Sequence, residues 1–166
     1  IDINYKAGAS EKNEGEFALY NAAKDNNIQC LELLLNHKSI QIDNQSKDGS
    51  TALYIASSMG HYKIVQTLLI NKADPHLRKY DNSSPLWIAC SLGYIEIVKL
   101  LLKYNEVIIN ESDYKCSPLE ISLNNKHFDI AKILLMHDIG TYKINNDPKS
   151  AELFIKYGST FNEFII

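Results

Sequence analysis

The sequence predicts an all-α solenoid of helix-turn-helix units that carry short β-hairpin-like fingers. Three observations lead there. A leucine pair recurs at Leu34-Leu35, Leu68-Leu69, Leu101-Leu102 and Leu134-Leu135, with steps of 34, 33 and 33 residues. An upstream marker, Leu19, Leu53, Leu86 and Leu119, keeps the same steps. Each copy also holds two apolar stripes at helical spacing. A fixed period of this length marks stacked repeats, whose units bury their apolar faces only against one another.

The first helix of each unit is short. Thr51, Ser84 and Ser117 stand where a hydroxyl accepts from the free backbone N–H groups of a helix start. Pro85 and Pro118 follow at the first helical position, where a missing N–H costs nothing. Ser117 with Glu120 has the spacing of a capping box. Leu53, Ala56 and Ser57 form a narrow small-residue face, as do Leu86, Ala89 and Cys90.

Gly60 and Gly93 end these helices where a positive φ is expected. The second helices carry the stripes Cys30-Leu31-Leu34-Leu35, Ile64-Val65-Leu68-Leu69, Ile97-Val98-Leu101-Leu102 and Ile130-Ala131-Leu134-Leu135. Extended connectors such as 40–43 and 107–110 lead to the turn residues Asp48-Gly49 and Asp81-Asn82.

Composition narrows the function classes. The 166 residues suffice for one domain with a real core, and 45% hydrophobic with 22% charged residues is ordinary for a globular protein. Net charge is −3, and Arg78 is the sole arginine. Nucleic-acid binders lean on clustered Arg and Lys, so that class is disfavoured. No apolar run reaches the ~18 residues of a membrane span. The three cysteines, Cys30, Cys90 and Cys116, form no Cys-x-x-Cys pair. Free thiols point to a reducing, intracellular setting, taken as cytoplasmic.

The words of the repeat resemble the ankyrin-repeat motif G-x-T-P-L-H-x-A-A-x-x-G-H, followed by V-x-L-L-L and G-A-D. The best copy matches at Gly49, Thr51, Leu53, Ala56, Gly60, His61, Val65, Leu68, Leu69, Ala73 and Asp74. The next matches at Pro85, Leu86, Ala89, Gly93, Val98, Leu100, Leu101 and Leu102. The resemblance covers about residues 12 to 144. It implies an ankyrin-type solenoid with repeats at 12–45, 46–78, 79–111 and 112–144. Residues 1–11 read as the tail of a preceding repeat, which suggests a segment of a longer array, and 145–166 as a half-repeat end cap.

Departures from the motif matter. The first copy has Phe17 for the capping Thr and Asn26 for the inter-helix Gly. The fourth has Lys126 there and Ser122-Leu123 for the paired alanines, so looser packing is expected. The motif's His is replaced by Tyr20, Tyr54, Trp87 and Glu120 in turn.

Chemistry is weakly signalled. Ser50, Thr51, Ser57, Ser58 and His61 lack the G-x-S-x-G elbow, and the repeat accounts for each of them. The five histidines show no metal-ligand pairing. Hence no catalytic, metal or cofactor-binding residue is expected, and the chain reads as a non-enzyme. Cys116, beside a loop tip, is the candidate reactive thiol.

The resemblance implies a protein partner met by the loop tips and the exposed side of the first helices. By register these positions hold Lys47, Asp48, Ser50, Tyr54, Ser58 and Met59 in one copy. The next holds Arg78, Tyr80, Asp81, Ser83, Trp87, Ser91 and Leu92. The last holds Asp113, Tyr114, Cys116, Glu120, Asn124 and Asn125. The competing role for Tyr54 and Trp87 is support of the neighbouring loops. Two other functions fit a repeat array: a fixed subunit of a large assembly, or the docking arm of an enzyme lying outside this segment.

Overall fold

The computed structural model describes residues 18–104 and 116–140. Phe17, Asp113, Tyr114, the 1–11 tail and the 145–166 cap lie outside the described residues. Eight helices run in order: α1 (Ala18–Lys24), α2 (Ile28–Leu35), α3 (Ala52–Met59), α4 (Tyr62–Ile70), α5 (Pro85–Leu92), α6 (Ile95–Lys103), α7 (Pro118–Asn124) and α8 (Phe128–Gly140). The first helices stack as α1–α3–α5–α7, the second as α2–α4–α6–α8. Each pair is antiparallel by necessity, because a short turn returns the chain.

The starts follow the sequence rule. Thr51, Ser84 and Ser117 accept from the backbone N–H of Tyr54, Trp87 and Glu120 respectively. Ser117 and Glu120 complete a capping box, with the Ser117 N–H donating to the Glu120 carboxylate at 2.6 Å.

The ends are more telling. One or two residues past the first helix, φ turns positive: 54° at Asn26, 76° at Gly60, 82° at Gly93 and 62° at Lys126. The next N–H then reaches back to the carbonyl five residues earlier: Asn27 to Ala22 at 2.9 Å, His61 to Ala56 at 3.0 Å, Tyr94 to Ala89 at 3.0 Å and His127 to Ser122 at 2.8 Å. This is the Schellman closure. The residue that closes one helix also caps the next, since Val65 N–H already donates to the His61 carbonyl at 3.0 Å. Reversal is complete within a single left-handed residue in every described unit.

The stripes make one core. Ile64, Val65, Leu68, Ile97, Val98, Leu101, Ile130, Ala131 and Leu134 are buried, as are Leu53, Ala56, Leu86, Ala89 and Cys90 from the first helices. The fourth unit is not looser: Ser122 and Leu123 are buried, and the Ser122 hydroxyl donates to the Leu119 carbonyl at 2.7 Å. That internal acceptor lets a serine stand where the motif has alanine.

The second unit's glycine answers to a neighbour as well as to φ. A Cβ on Gly60 would lie 2.8 Å from the ring of Tyr94, and one on Gly93 2.7 Å from the ring of His127. Each next unit thus lays a ring on the turn of the previous one. Gly60→Ala should lower stability by about 1–2 kcal/mol for the left-handed backbone alone, with a further loss as the Tyr94 ring moves. In this size class each kcal/mol lowers the thermal midpoint by about 2–4 °C. Gly60→Asn should lose less, since asparagine tolerates that conformation. Equal losses in thermal unfolding would mean that the ring contact alone sets the cost.

Candidate functional site

Two fingers precede α3 and α5. In the first, Ser46 N–H donates to the Ser50 carbonyl at 2.9 Å and Gly49 N–H to the Ser46 carbonyl at 3.0 Å. In the second, Lys79 N–H donates to Ser83 at 3.0 Å and Asn82 N–H to Lys79 at 2.9 Å. These bonds are hairpin-like, but no strand forms among the described residues. Aspartates brace both tips from inside. Asp48 Oδ1 accepts from the Ser46 hydroxyl at 2.5 Å and Ser50 N–H at 3.1 Å; Asp81 Oδ1 accepts from Ser83 N–H at 3.0 Å and its hydroxyl at 2.6 Å.

The fingers also bind each other. Tyr80 N–H donates to the Asp48 carbonyl at 3.0 Å. Gln45 Nε2 donates to the carbonyls of Gly49 and Arg78, both at 3.0 Å. Lys79 Nζ meets Asp48 Oδ2 at 2.9 Å.

The structure divides the expected contact residues into three groups. Lys47, Asp48, Met59, Tyr80, Asp81, Leu92, Asn124 and Asn125 are exposed, Tyr80 at 72% against 45% for Met59 and 46% for Leu92. Ser58, Arg78, Trp87, Ser91, Cys116 and Glu120 are half-buried. Ser50, Tyr54 and Ser83 are buried, which takes them out of the accessible surface.

The reason is support. Tyr54 Oη lies 3.0 Å from Ser83 Oγ, and Trp87 Nε1 donates to the Cys116 carbonyl at 3.0 Å. Both bonds link position i to i+29, so both side chains prop the loop of the following unit. Asn125 Nδ2 reaches back to the Ser91 carbonyl at 2.7 Å. His61 and His127 do likewise, with Nε2 at 3.1 Å from the Lys24 carbonyl and 3.2 Å from the Ser91 carbonyl. A carbonyl only accepts, so each Nε2 carries the proton. These rings stitch units together. No cluster of three potential ligands occurs among the described residues.

One set of residues was absent from the sequence expectation: Ile55, Ile88 and Ile121, all half-buried and spaced 33 apart. They stand two positions beyond the stripe leucines, about 200° round the helix. That off-stripe recurrence is the signal that could have found them. Ile55 with Met59 and Ile88 with Leu92 are i, i+4 neighbours, hence on one side of α3 and α5. Neither helix contains a charged residue.

Electrostatics are concentrated in the fingers. Burial pushes the Asp48 carboxyl up, but hydrogen bonds from Ser46, Lys79 and Ser50 outweigh it and hold it well below the usual carboxylate range. Asp81 is lowered in the same way by Ser83 and Lys79 against a burial penalty. Hydrogen bonding to Asp48 raises Lys79. Burial pushes the Cys116 thiol up, which works against its expected reactivity. On the other side of the array, Tyr62, Leu100, Leu102 and Ile133 line a groove of about 470 Å³ rimmed by Glu96, Lys99 and Lys103. No described helix is long and apolar enough to cross a membrane.

Stacked helix pairs closed by left-handed turns and linked by fingers define a helical repeat solenoid. The family model for ankyrin repeats in three copies matches residues 2–79 and 68–147, and the chain belongs to the ankyrin-repeat family. Ankyrin repeats are in general protein–protein interaction modules. The chain is 41% identical over 66 residues to the human Ankyrin repeat and SOCS box protein 3, which covers 39% of this chain and 13% of that protein. It is 39% identical over 62 residues to the Danio rerio Ankyrin repeat domain-containing protein 29, 37% of this chain and 21% of that one. It is also 39% identical over 51 residues to the Mus musculus Serine/threonine-protein kinase TNNI3K, 31% of this chain and 6% of the kinase. The chain therefore spans a small part of each relative.

Asp48 and Asp81 have folded pKa values below the free value near ~3.9. Their stabilisation is therefore complete above that value and is lost as pH falls through the folded ones. Denaturant unfolding at pH 7 and pH 3 should show wild type losing stability on acidification. Asp48→Asn should lose less between the two pH values, because one of the two lowered carboxyls is gone.

Proposed function

We propose that this chain is a non-enzymatic protein–protein interaction module. It meets its partner through the finger tips and the exposed side of the first helices, within repeats bounded as the sequence suggests. The observation that carries this reading is the absence of charge on α3 and α5, which leave Met59 and Leu92 exposed, together with the exposed ring of Tyr80 at the second finger. Aromatic and Met side chains are enriched at interfaces, and a few such residues carry most of the binding energy.

The working surface is smaller than the full register set. Lys47, Asp48, Met59, Tyr80, Asp81, Leu92, Asn124 and Asn125 are its accessible members, with Ser58, Arg78, Ser91 and Cys116 at its floor. Asp113 and Tyr114 belong to it by register. Tyr54, Ser50, Ser83 and Trp87 hold the fingers in place. The free thiols of Cys30, Cys90 and Cys116 suit an intracellular, cytoplasmic setting. A second reading is a docking arm of a larger enzyme, favoured by the similarity to part of a protein kinase.

Partner capture with the wild-type chain, followed by titration of the recovered partner, tests the surface. Met59→Glu with Leu92→Glu should weaken binding by more than tenfold, about the loss of one hot spot, and leave the thermal midpoint unchanged. Lys103→Glu on the opposite groove should bind as wild type. The reverse pattern would sink the assignment. Trp87→Ala is a poor probe, because its loss of the Cys116 bond lowers stability by itself.

A further inference from the structure

The two fingers differ at the matched position that opens each of them. Ser46 opens the first finger, and its hydroxyl turns inward to Asp48 of the same finger. The residue 33 further on is Lys79, whose ammonium instead reaches back to the preceding finger, 2.9 Å from Asp48 Oδ2. It lies 3.7 Å from Asp81 Oδ2 of its own finger and 5.5 Å from the centre of the Tyr54 ring. Its side chain is only 22% exposed. One cation therefore stands between two carboxylates of successive fingers, over the ring that itself props the second finger through Ser83. The second finger's own closure, Lys79 to Ser83 and Asn82 to Lys79, uses backbone groups alone and does not need this ammonium.

Without it, Asp48 and Asp81 would face each other uncompensated, and the single backbone bond from Tyr80 to Asp48 would carry the join with Gln45. We propose that Lys79 is a positioning residue that locks the two fingers into one surface, fixing the exposed Tyr80 tip relative to the first finger. This rests on the reading of the fingers as the partner-facing surface, but the lock itself is measurable without any partner.

The test is amide hydrogen exchange followed by NMR on the full chain. In Lys79→Met, which keeps most of the apolar stem, exchange at the Tyr80 amide should rise about two- to fivefold, the range expected for a partly exposed ion pair. The Lys79 and Asn82 amides, which close the second finger alone, should be unchanged. Lys79→Arg should restore protection at Tyr80. Raising the salt concentration should speed Tyr80 exchange in wild type and should not speed it in Lys79→Met, where only the repulsion between the two carboxylates is left to screen. Unchanged protection at Tyr80 in Lys79→Met overturns the lock. So does an equal rise at all three amides, which would make Lys79 a folding residue of its own finger. Loosened fingers with unaltered partner binding would support the lock and count against the partner-facing reading.

Discussion

One left-handed residue per unit governs this molecule. It lets the first helix end, close its carbonyls and reverse into the second helix with no intervening loop. Glycine supplies it in the two middle units, asparagine and lysine in the outer ones. The abruptness matters because it brings the two stripes of a unit into contact at a fixed angle, and identical angles are what allow units to stack. It also bares the turn backbone, onto which the next unit places Tyr94 or His127. Local backbone conformation and long-range order are thus set at the same atom.

The stacking is polar as well as apolar. Leucine and isoleucine stripes supply the hydrophobic burial, roughly 1.5–3 kcal/mol for each large side chain fully removed from water. Burial is not directional, so it does not by itself fix register between units. The directional part comes from bonds that cross from one unit to the next: Tyr54 to Ser83, Trp87 to Cys116, His61 to Lys24, Asn125 to Ser91. Each joins a side chain to a loop or helix end of an adjoining unit. A finger is therefore held from behind by the preceding helix and from the side by its neighbour, and its tip is left to face outward.

This arrangement explains why so many hydroxyl and aromatic residues near the fingers are unavailable to a partner. Ser50 and Ser83 are consumed by the internal bracing of Asp48 and Asp81, and Tyr54 by the bond to Ser83. What the scaffold leaves exposed is what varies between copies: Met59, Tyr80 and Leu92. The charges are tied up within the fingers, and the ridge between them is neutral. A partner that docks there gains by apolar contact and shape rather than by charge.

The sequence by itself determined the period, the helix pairs, the capping residues Thr51, Ser84 and Ser117, and the left-handed turns, because each depends on neighbours within a few residues. Through the repeat register it also assigned a candidate surface to the finger tips and first helices. It left loop support and partner contact both open for Tyr54 and Trp87, and it did not single out Ile88 from the core leucines. Only the tertiary structure decided those, because whether a side chain is exposed depends on what the next unit puts in front of it, 29 to 37 residues away. The same distance separates what Ser46 does from what Lys79 does: one matched position, two partners, chosen by which finger lies alongside.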